Sequence, residues 1–147
     1  MIREFVVMGD PQGKARARVA NGHAYTPKKT VEYEREVKLA YLTKYRDAPR
    51  YEKGVPVAVT IYAYLRIPAS CIKSKQDKMR RGEIRPTKVP DTDNIAKCCM
   101  DALNGLAWDD DSQVVKLHVF KLYNGNPLVR VMMDEITKEE ELCSGGY

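Results

Sequence analysis

From Val57 to Ile67 the side chains alternate without a break: Val57, Val59, Ile61, Ala63, Leu65 and Ile67 fall on one side, and Ala58, Thr60, Tyr62, Tyr64 and Arg66 on the other. Successive side chains of an extended chain point to opposite faces, so this period of two makes one wholly apolar face and one mixed face, and a helix would scatter both. The segment is therefore a long strand whose apolar face must be covered, and Pro68 ends it. Two stretches carry the other period. Tyr33, Val37, Ala40, Tyr41 and Lys44 recur at helical spacing behind Thr26-Pro27, an N-cap followed by Pro at the first helical position, and the helix is expected to stop before Pro49. Ile95, Cys98, Cys99, Ala102 and Leu106 do the same, predicting a second helix over about 94–103 with Asn104-Gly105 as its stop.

Shorter signals fill the rest. Ile2 to Met8 reads as an opening strand closed by Gly9-Asp10-Pro11. Lys14 to Tyr25 alternates cations with small residues around Asn21-Gly22, which predicts a hairpin with Arg16 and Arg18 on one face. A basic, weakly helical piece spans 69–82, and Arg85 to Pro90 is an extended connector because each proline disfavours the helical region for its predecessor. Val114 to Tyr123 and Leu128 to Asp134 read as two further strands, and the turn residues Asn124 to Pro127 predict that they pair with each other. A chain of 147 residues fits one domain, assigned to 1–136, with an acidic then Gly-rich tail over 137–147 that is expected to fray.

The four cysteines, Cys71, Cys98, Cys99 and Cys143, show no metal-ligand spacing and include an adjacent pair, so they read as small buried hydrophobes in a reducing cytosol. No apolar run approaches a membrane span and no N-terminal leader pattern appears, so a cytoplasmic protein without membrane association is expected.

Charge is segregated along the chain. The net charge is +5, yet Asp91 to Asp111 holds six aspartates against the single Lys97. Immediately before it, Pro68 to Pro90 holds seven cations against Asp77 and Glu83. Gathered carboxylates repel one another, and an oxygen-only set with no His or Cys suits a hard cation, Mg²⁺ with Mn²⁺ as a substitute. An acidic metal pocket beside a basic strip is what phosphodiester cleavage requires. Asp93, Lys97 and Asp101 lie at i, i+4 and i+8 on the polar side of the second helix. Asp101 reads as part of a solvated salt-bridge face. Asp91 and Asp93 can reach one ion from the loop entering the helix, and Asp111 closes the site if the strand beginning there runs alongside. Lys97 then faces the scissile phosphate as a point charge.

The Asp-x-Asp of aspartyl-phosphate enzymes follows a buried apolar strand, which Arg85 to Pro90 is not, and the Asp91 loop lacks the third ligand and glycine of a calcium-binding hand. His23 and His118 read as loop and strand-face residues, and Trp108 and the tyrosines as core or rim packing more than as base-stacking platforms.

Pro90-Asp91-Thr92-Asp93-Asn94-Ile95-Ala96-Lys97, then Asp101-Ala102-Leu103-Asn104-Gly105, then Trp108-Asp109-Asp110-Asp111-Ser112-Gln113-Val114 resemble, in residue type and spacing, the signature of RusA-type Holliday junction resolvases. Gly9-Asp10-Pro11, Arg16-Ala17-Arg18, Tyr25-Thr26-Pro27-Lys28-Lys29 and Gly82-Glu83-Ile84-Arg85-Pro86-Thr87 resemble phage and prophage members of that family, so the likeness runs to about Asp134. The resemblance implies an α/β (α+β) fold, a mixed sheet with two main helices packed on it, in a homodimer. It implies that Asp91, Asp93 and Asp111 bind magnesium as catalytic carboxylates and that Lys97 is a catalytic lysine, while the role of Asp110 stays open. The implied partner is four-way junction DNA, cut by paired symmetric nicks without an organic cofactor. Lys14, Arg16, Arg18, Lys73, Arg80, Arg81, Arg85 and Lys88 are the cations expected to hold its backbone. The alternatives are a non-catalytic junction-binding or architectural protein and a metal-dependent phosphatase acting on small substrates.

Overall fold

The computed structural model describes residues 1–137; the remainder of the expected tail, with Cys143, lies outside the described residues. One mixed four-stranded sheet organises the molecule, built from β1 (Arg3–Met8), β4 (Val57–Arg66), β5 (Val114–Asn124) and β6 (Leu128–Glu135) in the order β1-β6-β4-β5. A separate two-stranded ribbon comprises β2 (Arg18–Ala20) and β3 (His23–Tyr25). Among the described residues there are three α-helices, the two main ones expected, α1 (Lys28–Tyr45) and α3 (Thr92–Leu103), and between them α2 (Lys73–Arg80). The additional one is the weakly helical basic piece, a two-turn helix that buries only Met79.

The strand period and the helix stripes meet in one core. Along β4 every residue of the Val57–Leu65 set is buried. Phe5 of β1, Val131 of β6, Ile61 of β4 and Val119 of β5 sit opposite one another across the four strands, so one apolar row crosses the whole sheet. Onto this face α1 brings Tyr33, Val37 and Tyr41, and α3 brings Ile95, Cys98, Cys99, Ala102 and Leu103, all buried. The buried thiols are inert by environment: burial pushes Cys98 up to about 12 and Cys99 higher still. Among the described residues no helix is long and apolar enough to cross a membrane.

The strand pairing departs from expectation. β5 and β6 do not form a hairpin; they flank β4, β5 parallel to it and β6 antiparallel. The reason lies in burial. β6 alternates buried Val129, Val131 and Met133 and is fit for an interior position, whereas β5 is largely exposed and takes the edge. Pro68 turns the chain away at the end of β4, which lets the short Asn124–Pro127 link pass over that strand's end.

Candidate active site

α3 begins two residues earlier than the apolar stripe alone indicates. Asp91 is its N-cap residue and Asp93 lies in its first turn, where a carboxylate faces the positive end of the helix dipole. The Asp91 side chain accepts no cap hydrogen bond, and both carboxylates are exposed. A capping role, which Asp performs readily at this position, is therefore not what occupies Asp91. Lys97 is exposed one turn further on and, among the described residues, has no carboxylate within ion-pair distance.

Asp111 is built in differently. It opens a short 3₁₀ turn, Asp111–Gln113, capped by Asp110, whose carboxylate accepts the Ser112 N–H at 3.0 Å. The hydrogen bonds to Ser112 hold Asp110 below the usual carboxylate range, as suits a structural cap. The buried Gln113 closes the box by accepting the Asp110 N–H at 3.2 Å, accepts the Asp109 N–H at 2.8 Å as well, and its amide donates to the Glu52 carbonyl at 2.8 Å. Arg50 adds a hydrogen bond to the Gly105 carbonyl, and the Tyr51 N–H one to the Ala107 carbonyl. Segment 50–55 thus braces the loop from which Asp111 projects. Trp108, fully buried, donates its indole N–H to Asp111 Oδ1 at 2.8 Å. Burial raises the Asp111 carboxyl above its ordinary value; the indole bond and Lys97 pull it down, and Asp101 and Asp110 push it up.

Those charge partners locate Asp111 beside the Lys97–Asp101 side of α3. Asp101, read from sequence as a solvated face residue, is half-buried and bound to Lys14 at 3.0 Å rather than paired within its own helix. Lys14 also meets Glu34 of α1 at 2.5 Å. Burial lowers the Lys14 ammonium, but the hydrogen bonds to Glu34 and Asp101 more than reverse this and its titration lies above the ordinary value. The other cations expected to hold backbone are all exposed: Arg16, Arg18, Lys73, Arg80, Arg81, Arg85 and Lys88. Arg80 lies against Asp77 at 3.0 Å and Arg81 against Glu83 at 2.9 Å, surface pairs of small net worth that leave their guanidinium groups available.

Among the described residues no three acidic, His or Cys side chains converge into a preformed ion cage. Asp91 and Asp93 stand exposed at the start of α3, Asp111 lies beside Lys97 and Asp101 further along that helix, and all three offer only oxygen. Oxygen donors are of the kind Mg²⁺ takes, one or two carboxylates at a time, with water and substrate phosphate completing its shell. Two supports escaped the sequence. The Trp108 contact leaves no trace in spacing, since an indole N–H can bond any nearby acceptor. The Lys14–Asp101 pair joins residues far apart in the chain.

Trp108→Phe keeps most of the buried ring and removes the N–H. Loss of one hydrogen bond to a charged group predicts a fall of roughly tenfold in single-turnover cleavage, about 1.5 kcal/mol, with unchanged DNA affinity. Single-turnover rates beside gel-shift titrations check both halves, and an affinity loss without a rate loss would contradict the role.

A Bacillus subtilis protein carrying the name "Uncharacterized protein YqaN" is 37% identical over 138 residues, covering 91% of this chain and 96% of that protein. Residues 8–134, which include β2 to β5, all three helices and every aspartate discussed above, match the family described as Endodeoxyribonuclease RusA. On that match the chain belongs to the RusA endodeoxyribonuclease family.

Proposed function

We propose that this protein is a Mg²⁺-dependent endonuclease that resolves four-way DNA junctions, acting as a homodimer whose two sites each nick one of a pair of opposed strands. What supports the reading is the presence of Asp91 and Asp93 at the start of α3 and of Asp111 beside Lys97, which is exposed and, among the described residues, has no ion-pair partner, in a chain of an endodeoxyribonuclease family. The basic strip before Pro90 supplies the complementary surface for a polyanion.

Asp91, Asp93 and Asp111 would hold the ion. When bound, Mg²⁺ neutralises charge on the scissile phosphate and lowers the pKa of an attacking water. The protein's own groups do the rest. Lys97 places a compact positive charge where negative charge builds up in the transition state. Trp108 and the braced 3₁₀ turn fix the Asp111 carboxylate, so that no reorganisation is needed when substrate arrives. Paired nicking follows from two-fold symmetry, because an isologous dimer presents two identical sites to a junction that is itself nearly two-fold. Val115, Leu117 and Phe120, left exposed along edge strand β5, are consistent with a further protein surface packing there.

The test is cleavage of end-labelled DNA of equal length, as a mobile four-way junction and as linear duplex, in Mg²⁺ and in EDTA. Cleavage confined to the junction with Mg²⁺ is expected. Binding without cleavage in any divalent cation would favour an architectural protein, and turnover of a small phosphate ester with indifference to junctions would favour a phosphatase.

A further inference from the structure

Of the cations expected to hold DNA, Lys14 is the one the fold withholds. Only 19% of its side chain is exposed and its ammonium is shared between Glu34 and Asp101. Its backbone is engaged too, because the Lys14 N–H donates to the Asn94 carbonyl at 2.9 Å. Next to it, a Cβ on Gly13 would lie 3.0 Å from both the Pro90 and Asn94 Cβ atoms, so the chain lies against the start of α3 as closely as a residue without a side chain permits. On the other side the Ala15 N–H donates to Thr30 Oγ1 of α1 at 3.2 Å. Three consecutive residues are thereby fastened to the two helices of the core.

Beyond this fastening the chain is different in kind. All six residues of β2 and β3 are exposed, and the two strands pair only with each other. A lone two-stranded hairpin is marginal in water and gains little from burial here. Val19 is 72% exposed and Tyr25 47%. From Pro11 to Val31 there are five cations, Lys14, Arg16, Arg18, Lys28 and Lys29, and no carboxylate. The root of the hairpin and the catalytic helix share an open cleft of about 230 Å³, lined by Lys14, Ala15, Arg16, Ala17, Thr26, Asn94 and Lys97. A protruding cationic ribbon whose base adjoins Lys97 has one fitting occupant, the sugar-phosphate backbone of duplex DNA next to the cut.

We propose that the β2–β3 hairpin is an arm that grips duplex backbone beside the scissile phosphate through Arg16 and Arg18, and that Lys14 is its anchor rather than a phosphate contact. The inference rests on the nuclease reading for the identity of the occupant. The anchor matters because the arm can only align DNA with Lys97 if its base is rigid. Lys14 is thus a positioning residue acting through the arm.

The two roles separate in a salt series. Equilibrium binding of a labelled four-way junction is measured in EDTA over a range of salt for the parent, the Arg16→Ala/Arg18→Ala double variant and Lys14→Met, and amide hydrogen exchange is followed over Gly13 to Tyr25. Each lost phosphate contact removes about 0.9 from the log–log salt slope. The double variant is expected to bind more weakly with a slope reduced by about 1 to 2. Lys14→Met is expected to keep the parental slope, to exchange its hairpin amides faster, and to lose more in single-turnover rate than in affinity. Glu34→Gln loosens the same anchor and serves if Lys14→Met does not fold. A double variant with parental slope and affinity would overturn the arm. A slope reduced by about 0.9 in Lys14→Met, with hairpin exchange unchanged, would overturn the anchor. A parent that binds but never cuts overturns the nuclease reading without touching the arm, and a parent that cuts while the double variant binds normally overturns the arm alone.

Discussion

Asp111→Asn is expected to abolish junction cleavage while leaving junction binding intact or tighter. The amide still accepts the Trp108 indole hydrogen bond that the carboxylate accepts now at 2.8 Å, so the local geometry is retained and only the charge is lost. Removing an ion-holding carboxylate at a phosphoryl centre forfeits several kcal/mol of transition-state stabilisation; about 4 kcal/mol corresponds to roughly a thousandfold in rate. Binding moves the other way because a negative charge facing phosphates has gone. Stability does not suffer either. The carboxylate is raised in pKa by its burial and by Asp101 and Asp110, which means that its charge is less well accommodated in the folded protein than in the unfolded chain. The neutral amide therefore melts at the parental temperature or above. The melt is taken in EDTA, since with Mg²⁺ the parent alone should gain stability in proportion to its affinity for the ion. Trp108 is the single tryptophan of the chain and touches Asp111, so its fluorescence should respond to Mg²⁺ in the parent and not in the variant. A variant that cuts at near-parental rate removes Asp111 from the ion-holding set, and one that unfolds in EDTA makes it a structural residue.

Lys97→Ala is expected to lower single-turnover cleavage by about a hundredfold or more, the scale of losing one preorganised charge donor, with little change in affinity. Its exposure and the lack of a carboxylate partner among the described residues give it no structural duty there, so the melting temperature should be unaffected. Lys97→Arg separates position from charge: a guanidinium is broader and does not restore a point charge at the same place, so only partial recovery is expected. Equal rates for Lys97→Ala and the parent would make it an ordinary surface lysine.

Where one period governs a segment, the chain could be read directly. The β4 alternation and the α3 stripe are set by burial on one face, and the structure follows both closely. The wrong β5–β6 hairpin shows the limit. A turn signal says that the chain reverses, not which strand lies between the two ends, and that choice was settled by the burial demands of β4 from both sides. α2 was weak in sequence because a short basic helix with one buried residue has almost no stripe to show. At the site, Asp91, Asp93, Lys97 and Asp111 could be nominated because acids and a lysine in a fixed pattern are visible locally. Asp101 was legible only in kind, as a salt-bridge residue. Its partner Lys14 sits on a loop far away in the chain, and no local pattern shows that this cation is held by two carboxylates.

A supercoiled plasmid carrying an extruded cruciform tests the central claim most directly. One nick at the cruciform gives an open circle, whereas two symmetric nicks made in one encounter give a linear molecule. With Mg²⁺ the parent should convert the plasmid to linear DNA with cut ends mapping to the cruciform base, and the Asp111→Asn variant should leave it supercoiled while still bound. Supercoiled plasmid surviving with the parent in every divalent cation, or linear product appearing equally with Asp111→Asn, would contradict the account.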